Sequence, residues 1–251
     1  MMLDIRSKAI MLAAGFGISA GTLMGQNTEG RLRTPGSVGV TVSVAALQVP
    51  EKAWKHFDKA RTAAEQNRLE DFEHETAKAL EIAPRFAQAY LLRATVRNQK
   101  RNFDAAIADV LSAQKIEPGL MWGGVVLAGA ENGLHRYNAA LLVLNSLRGP
   151  EMESWQVKYE LARAEIGIGN REDALHWSKL ALDAAPKTCP DIHLLRANAL
   201  ILSHRWEDAI AQMNAYLESK SADVHRAEVM KSLDLAQRAL RNAQMTEVAL
   251  R

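Results

Sequence analysis

The prolines of this chain keep a period. They stand at positions 35, 50, 84, 118, 150, 186 and 190, so that 118 − 84 is 34 and 186 − 118 is 68, twice 34. Fixed self-similarity at 34 residues is a signature of stacked helix-turn-helix units, and it restricts the fold more than any other feature of the sequence. Laid on that period, the segments opening with Leu69, Phe103, Tyr137, Arg171 and Trp206 fall in register, and successive starts differ by 34, 34, 34 and 35. Ala60, Ala94, Ala128, Ala162 and Ala197 repeat the same steps, a small residue recurring where two helices must touch. Ala79 to Pro84, Ala113 to Pro118 and Ala181 to Pro186 close units with a proline that cannot continue a helix.

Helix rather than strand follows from a separate signal. The segments Ala89 to Val96 and Trp155 to Ile168 carry apolar residues at i, i+3, i+4 and i+7 with no proline inside. Short breaks at Asn67-Arg68, Arg101-Asn102, His135-Arg136, Gly169-Asn170 and His204-Arg205 mark the turns between paired helices. One pair cannot bury its apolar face alone, so neighbouring pairs must stack into a continuous core. With 251 residues, 48% of them hydrophobic, the chain has the material for one.

These units resemble tetratricopeptide repeats, which are 34-residue antiparallel helix pairs with small residues at the helix contact, an aromatic opening the second helix and a closing proline. The resemblance covers residues 51–221 and implies an all-α, right-handed superhelical solenoid of about five repeats, at approximately 51–86, 87–120, 121–154, 155–189 and 190–221. Two departures are local: Trp54 and Phe57 are displaced from the places where the family's large residues open the first helix, and the third unit closes at Pro150. After Ser221, at the end of the fifth unit, Val224, Ala227, Met230, Leu233, Leu235 and Leu240 interleave with charged residues, an amphipathic pattern that predicts a capping helix over 222–242 and a frayed tail over 243–251. The third unit's first helix contains Gly123, Gly124, Gly129 and Gly133, each costing about 0.8–1 kcal/mol of helix propensity relative to alanine. Tight packing against neighbours or a flexible joint are the two readings of that cost.

A solenoid of this kind lines a concave groove with its first helices, and in the family the groove takes peptides. The resemblance places Gln88, Leu91, Thr95 and Asn98 there in the second unit, and Trp122, Val125 and Asn132 in the third. Gln156, Tyr159 and Arg163 follow in the fourth, then Asp191, Leu194 and Asn198 in the fifth. The family's carboxylate clamp needs Lys and Asn where this chain has Leu91, Thr95, Tyr159 and Arg163, so a receptor for chaperone tails is not expected. Trp122 and Tyr159 are candidate anchors, because amphipathic aromatics dominate interface energetics; burial between repeats is the competing reading for both.

The N-terminus follows the layout of a secretory signal. Arg6 and Lys8 precede an uncharged stretch from Ala9 to Gly25, and Gly15, Gly17, Gly21 and Gly25 lower its hydrophobicity. Seventeen residues is at the short end for a membrane span, so a signal peptide over 1–25 is favoured over a permanent helix. Cleavage predicts a periplasmic or secreted protein, and retention predicts an inner-membrane anchor facing the periplasm. Gly15-Phe16-Gly17-Ile18-Ser19-Ala20 matches the loose dinucleotide fingerprint, but no strand precedes it and no acidic residue follows at the required distance. Residues 26–50 read as an extended arm with a short strand, Val38 to Val44, alternating valine with smaller residues. It packs on the first helix pair or offers an edge to another chain.

Chemistry is sparse. The seven histidines, at 56, 74, 135, 176, 193, 204 and 225, fall in no metal-ligand spacing, and no metal or cofactor is expected. Cys189, the one cysteine, has His193 four residues on, the weak outline of a thiol nucleophile. The acidic run Glu70, Asp71, Glu73, Glu75 reads as a solvated helix face. A net charge of +2, from 31 basic and 29 acidic residues, leaves no footprint for nucleic acid. The expectation is a non-catalytic scaffold for a protein or peptide of unknown identity, with self-association open. The alternatives are an envelope assembly factor held by an uncleaved N-terminal helix, and a thiol-dependent enzyme using Cys189.

Overall fold

The computed structural model describes residues 48–120, 122–148, 150–187, 189–219 and 225–249. The signal peptide over 1–25 and the strand at 38–44 lie outside the described residues. Among those described the fold is all-α, with eleven helices and no strand. They are α1 (Glu51–Glu65), α2 (Leu69–Ile82), α3 (Ala87–Gln99), α4 (Phe103–Ile116), α5 (Gly123–Gly133), α6 (Tyr137–Ser146), α7 (Trp155–Ile168), α8 (Arg171–Ala184), α9 (Asp191–Leu202), α10 (Trp206–Leu217) and α11 (Arg226–Ala249), with a 3-10 turn at Pro150–Glu153 before α7.

The chain divides into two compact units, whose described parts are residues 48–134 with α1–α5 and residues 135–249 with α6–α11. In the first, α1 packs on α2, α3 on α4 and α4 on α5, while α3 also meets α5. In the second, α7 packs on α8, α9 on α10 and α10 on α11, while α7 also meets α6 and α9. Within each unit a helix thus touches its sequence neighbour, and first helices touch one another. Such an array of packed helix pairs is compatible with a helical repeat protein.

The turns between paired helices carry the period in their backbone. Asn67, Arg101, His135, Gly169 and His204 all have positive φ, between 54° and 82°, at steps of 34, 34, 34 and 35. Each closes its helix in the left-handed conformation that satisfies the terminal carbonyls, as in Asn102 N–H to Arg97 O at 2.9 Å and Asn170 N–H to Glu165 O at 2.9 Å. Only Gly169 takes that conformation without a Cβ penalty. Arg101 is exposed, so Arg101→Gly relieves about 1–2 kcal/mol of left-handed strain against about 0.5–1 kcal/mol of extra unfolded-state entropy. The expected result is a rise in thermal midpoint of about 2–4 °C; a fall would show that the arginine stabilises its turn by other means.

Four of the second helices, α2, α4, α8 and α10, open on acidic first turns, Glu70 and Asp71, Asp104, Glu172 and Asp173, Glu207 and Asp208, which complement the helix dipole; α6 has none. Each buries a single stripe: Phe72, Thr76, Ala79 and Leu80 on α2, for example, and Ala174, Ser178 and Ala181 on α8. The first helices differ. Along α3, α5 and α9 no residue is exposed, and along α7 none is before Gly167, whereas α1 has the exposed face of an ordinary amphipathic helix. A helix buried all round needs cover on every side.

At the C-terminal end, Val229 and Ala236 of α11 are buried in a cluster with Leu194, Leu200, Met213 and Tyr216. The helix continues to Ala249, past Asn242, and from position 241 onward its described side chains are exposed.

Candidate functional site

The first helices are where a ligand-binding face would be built, so their polar residues decide what the site can do. Of the thirteen positions expected to face the groove, Gln88 and Asp191 are half-buried, and the other eleven (Leu91, Thr95, Asn98, Trp122, Val125, Asn132, Gln156, Tyr159, Arg163, Leu194 and Asn198) are buried. They fall into two sets, one per unit.

In the 48–134 unit, Thr95 Oγ1 donates to Leu91 O at 2.9 Å and Asn98 Nδ2 donates to Val126 O at 2.7 Å, tying α3 to α5. Asn98 Oδ1 is left without a partner. Gln88 Nε2 reaches Glu117 Oε2 at 3.4 Å. Trp122, at the start of α5, is 5% exposed and has φ of 73°, an unusual backbone for a bulky residue. Sequence reasoning missed the polar centre of this unit: Asp109 of α4, which accepts from Arg93 Nε and Nη2 at 2.8 and 2.7 Å and from Arg97 Nη1 at 2.7 Å. The Asp109 bond, opposed by burial, raises the Arg93 pKa above its ordinary value. Arg93 and Arg97 are four apart on one face of α3, and that i, i+4 spacing was the available signal.

In the 135–249 unit the polar residues concentrate on α7. Ser154 caps it, its Oγ accepting from Val157 N–H at 3.3 Å. Arg163 Nη1 donates to both oxygens of Glu160, at 3.0 and 2.8 Å, in a pair almost wholly removed from solvent. Burial works against the guanidinium charge, and the Glu160 carboxylate outweighs it, so the pKa of Arg163 is raised. Its guanidinium lies 6.0 Å from the centre of the Tyr159 ring, and that ring meets Trp155 edge-on at 6.2 Å. Burial pushes the Tyr159 phenol well above its ordinary value, so it stays neutral at any physiological pH. Gln156 is fully buried, and neither its amide nitrogen nor its oxygen has a partner; the Trp155 indole N–H has none either.

The Asp191 carboxyl, at the start of α9, is raised by burial, and Glu165 is raised by burial with Asp173 adding to it. In both the folded state holds the proton more tightly than the unfolded chain. Their ionisation therefore subtracts stability as the pH rises through the carboxylate range.

Cys189 sits beside this set, half-buried, and burial pushes its thiol up to about 11. His193 Nδ1 lies 2.8 Å from Gln212 Oε1, which can only accept, so that nitrogen carries the hydrogen and is spent on Gln212. Against an ordinary value near 9, a thiol at about 11 presents about a hundredfold less thiolate at pH 8. Iodoacetamide should label native Cys189 about a hundred times more slowly than the urea-unfolded chain. Equal rates would mean an activated thiol.

No group of three or more His, Cys, Asp or Glu side chains that could hold a metal occurs among the described residues, and no described helix is long and apolar enough to cross a membrane. No protein-family model matches the chain, and no characterised protein matches it in sequence.

Proposed function

We propose that this chain is a non-catalytic scaffold of the tetratricopeptide-repeat type, with five repeats in a right-handed solenoid, that binds a protein or peptide through the faces of its first helices. The observation that carries the reading is Gln156, a carboxamide with both hydrogen-bonding atoms buried and unpaired. An unpaired buried polar group costs about 1–3 kcal/mol, an expense without structural return unless a bound chain supplies the partners. An extended peptide offers an N–H and a C=O side by side, which is the complement of a carboxamide. Asn98 Oδ1 stands in the same condition in the other unit. The raised Cys189 thiol and the engaged His193 argue against the thiol-enzyme reading.

Gln156→Leu separates binding from folding. It removes the unpaired amide and keeps the volume, so stability should be unchanged or raised by about 1 kcal/mol. Cross-linking capture from native extract with the wild-type chain should yield a partner that the variant loses. A partner retained at full yield by Gln156→Leu would move the site off α7.

Export remains part of the proposal. With the N-terminal signal cleaved, the scaffold works in the periplasm or outside the cell. With it retained, the chain is an envelope assembly factor anchored in the inner membrane.

A further inference from the structure

Two sides of α11 differ. Val229, Ser232 and Ala236 turn one side inward, where the helix packs on α10. A second side carries Met230, Asp234, Gln237, Arg241, Met245 and Val248, spaced three or four apart as residues on one helix face are. Met230, Met245 and Val248 are 55%, 71% and 75% exposed, and Ala227, one step before them on the same side, is exposed too. Large apolar residues scattered singly over a surface need no explanation, but an aligned set on one helix marks a place of contact. Methionine, unbranched and polarizable, is the side chain that adapts best to such a contact. The helix also runs on to Ala249 although its described side chains are exposed from Arg241 onward. Helices in proteins stay wound mainly through the packing of one face, and at this end the apolar side chains at hand are Met245 and Val248.

We propose that α11 pairs with α11 of a second copy of this chain, antiparallel, along the face of Met230, Asp234, Arg241, Met245 and Val248. The face is self-complementary in that direction. With the twofold axis between Gln237 and Arg238, Ala227 meets the copy's Val248, Met230 meets Met245, and Asp234 meets Arg241, each contact made twice. Parallel pairing instead sets Asp234 against Asp234 and Arg241 against Arg241, like charges face to face, and is disfavoured. Within one chain Asp234 is held by Arg238, whose Nε donates to Oδ1 at 3.2 Å and whose Nη2 lies 2.7 Å from Oδ2. Both side chains are half or more exposed, and an exposed i, i+4 pair is worth little, so the carboxylate can take a second guanidinium from the copy. The seam from Ala227 to Val248 is about 32 Å long at the 1.5 Å rise of a helix, and its mean spacing of about 3.5 residues suits two helices wound round each other. One helix pair buries less than the roughly 1,200 Å² of a stable complex, so the dimer is weak and concentration-dependent. The pairing is separate from the groove on the first helices, and its test leaves Gln156 untouched.

The test is sedimentation equilibrium of the full-length chain up to about 100 µM, a concentration suited to a contact at the low end of interface size. The wild-type chain should approach the mass of two chains. Asp234→Arg sets cation against cation at both ends of the seam, and Arg241→Asp sets carboxylate against carboxylate, so each variant alone should dimerise at least tenfold more weakly. Mixed one to one, the two variants place opposite charges together at both ends and should dimerise as the wild type does or better. The double variant, Asp234→Arg with Arg241→Asp, should also recover. Far-UV circular dichroism checks that each variant folds, and Met230→Asp, which leaves both charges in place, serves if a charge variant does not. A wild-type chain that stays single at the highest concentration overturns the pairing and leaves the face to another partner. A dimer that neither charge variant weakens, or one that mixing fails to restore, overturns the antiparallel seam.

Discussion

Arg163→Ala should destabilise the chain by about 3–5 kcal/mol, the largest loss expected from any single truncation on α7. The pair it breaks is buried on both sides, Arg163 at 9% and Glu160 at 1% exposure, and one guanidinium nitrogen serves both carboxylate oxygens. Removing the cation takes the Arg163 charge from a carboxylate that is itself buried, and the Tyr159 ring loses the cation beside it. Removing both charges together has another outcome. Arg163→Met with Glu160→Leu replaces the pair by apolar volume and should recover most of the loss, since buried pairs are often neutral or worse against a well-packed hydrophobic substitute. Chemical denaturation of the three chains gives the answer. A loss under 1 kcal/mol for Arg163→Ala would mean that the Glu160 carboxylate finds water or another cation. A truncated Arg163 therefore reports on folding before it reports on binding, which is why the binding test rests on Gln156.

The period shows how far sequence alone reaches. The breaks at 67, 101, 135, 169 and 204 were legible because turn residues and proline placement are local properties, and each proves to be a left-handed turn. The helices were legible for the same reason, as their 3.6-residue pattern is written into adjacent residues. The α7 residues named by the resemblance, Gln156, Tyr159 and Arg163, lie on one helix, with Trp155 against the Tyr159 ring. What it could not supply was their partners. Glu160 and Asp109 read in the sequence as ordinary acids on helices, and only packing shows one buried with Arg163 and the other between Arg93 and Arg97. Burial of the first helices was also illegible, since periodicity marks an apolar stripe and says nothing of what covers the opposite side.

The glycines of α5 and α7 carry the last prediction. A Cβ at Gly133 would land in the ring of Phe103, and one at Gly167 in the ring of Tyr137, while at Gly123 it would meet Gln114 at an ordinary 3.7 Å. Close packing therefore accounts for Gly133, the reading that competed with a flexible joint. Both tight pairs are 30 residues apart, 133 − 103 and 167 − 137, so an aromatic that opens a second helix is matched by a small residue on the next first helix. Trp206 obeys the rule with the buried Ala236, whereas Leu69 and Arg171, which lack the ring, stand opposite Gln99 and Ile201 in the same count. Gly133→Ala and Gly167→Ala gain about 1 kcal/mol of helix propensity but displace an aromatic ring at a cost of about 3 kcal/mol, so each should lower stability by about 2 kcal/mol. The coupling decides the mechanism. Phe103→Leu removes the ring from its pocket, and in that background Gly133→Ala should cost nothing or stabilise, a coupling of about 2 kcal/mol by double-mutant cycle. Equal losses in the two backgrounds would place the cost elsewhere on α5 and take away the packing rule that joins one helix pair to the next.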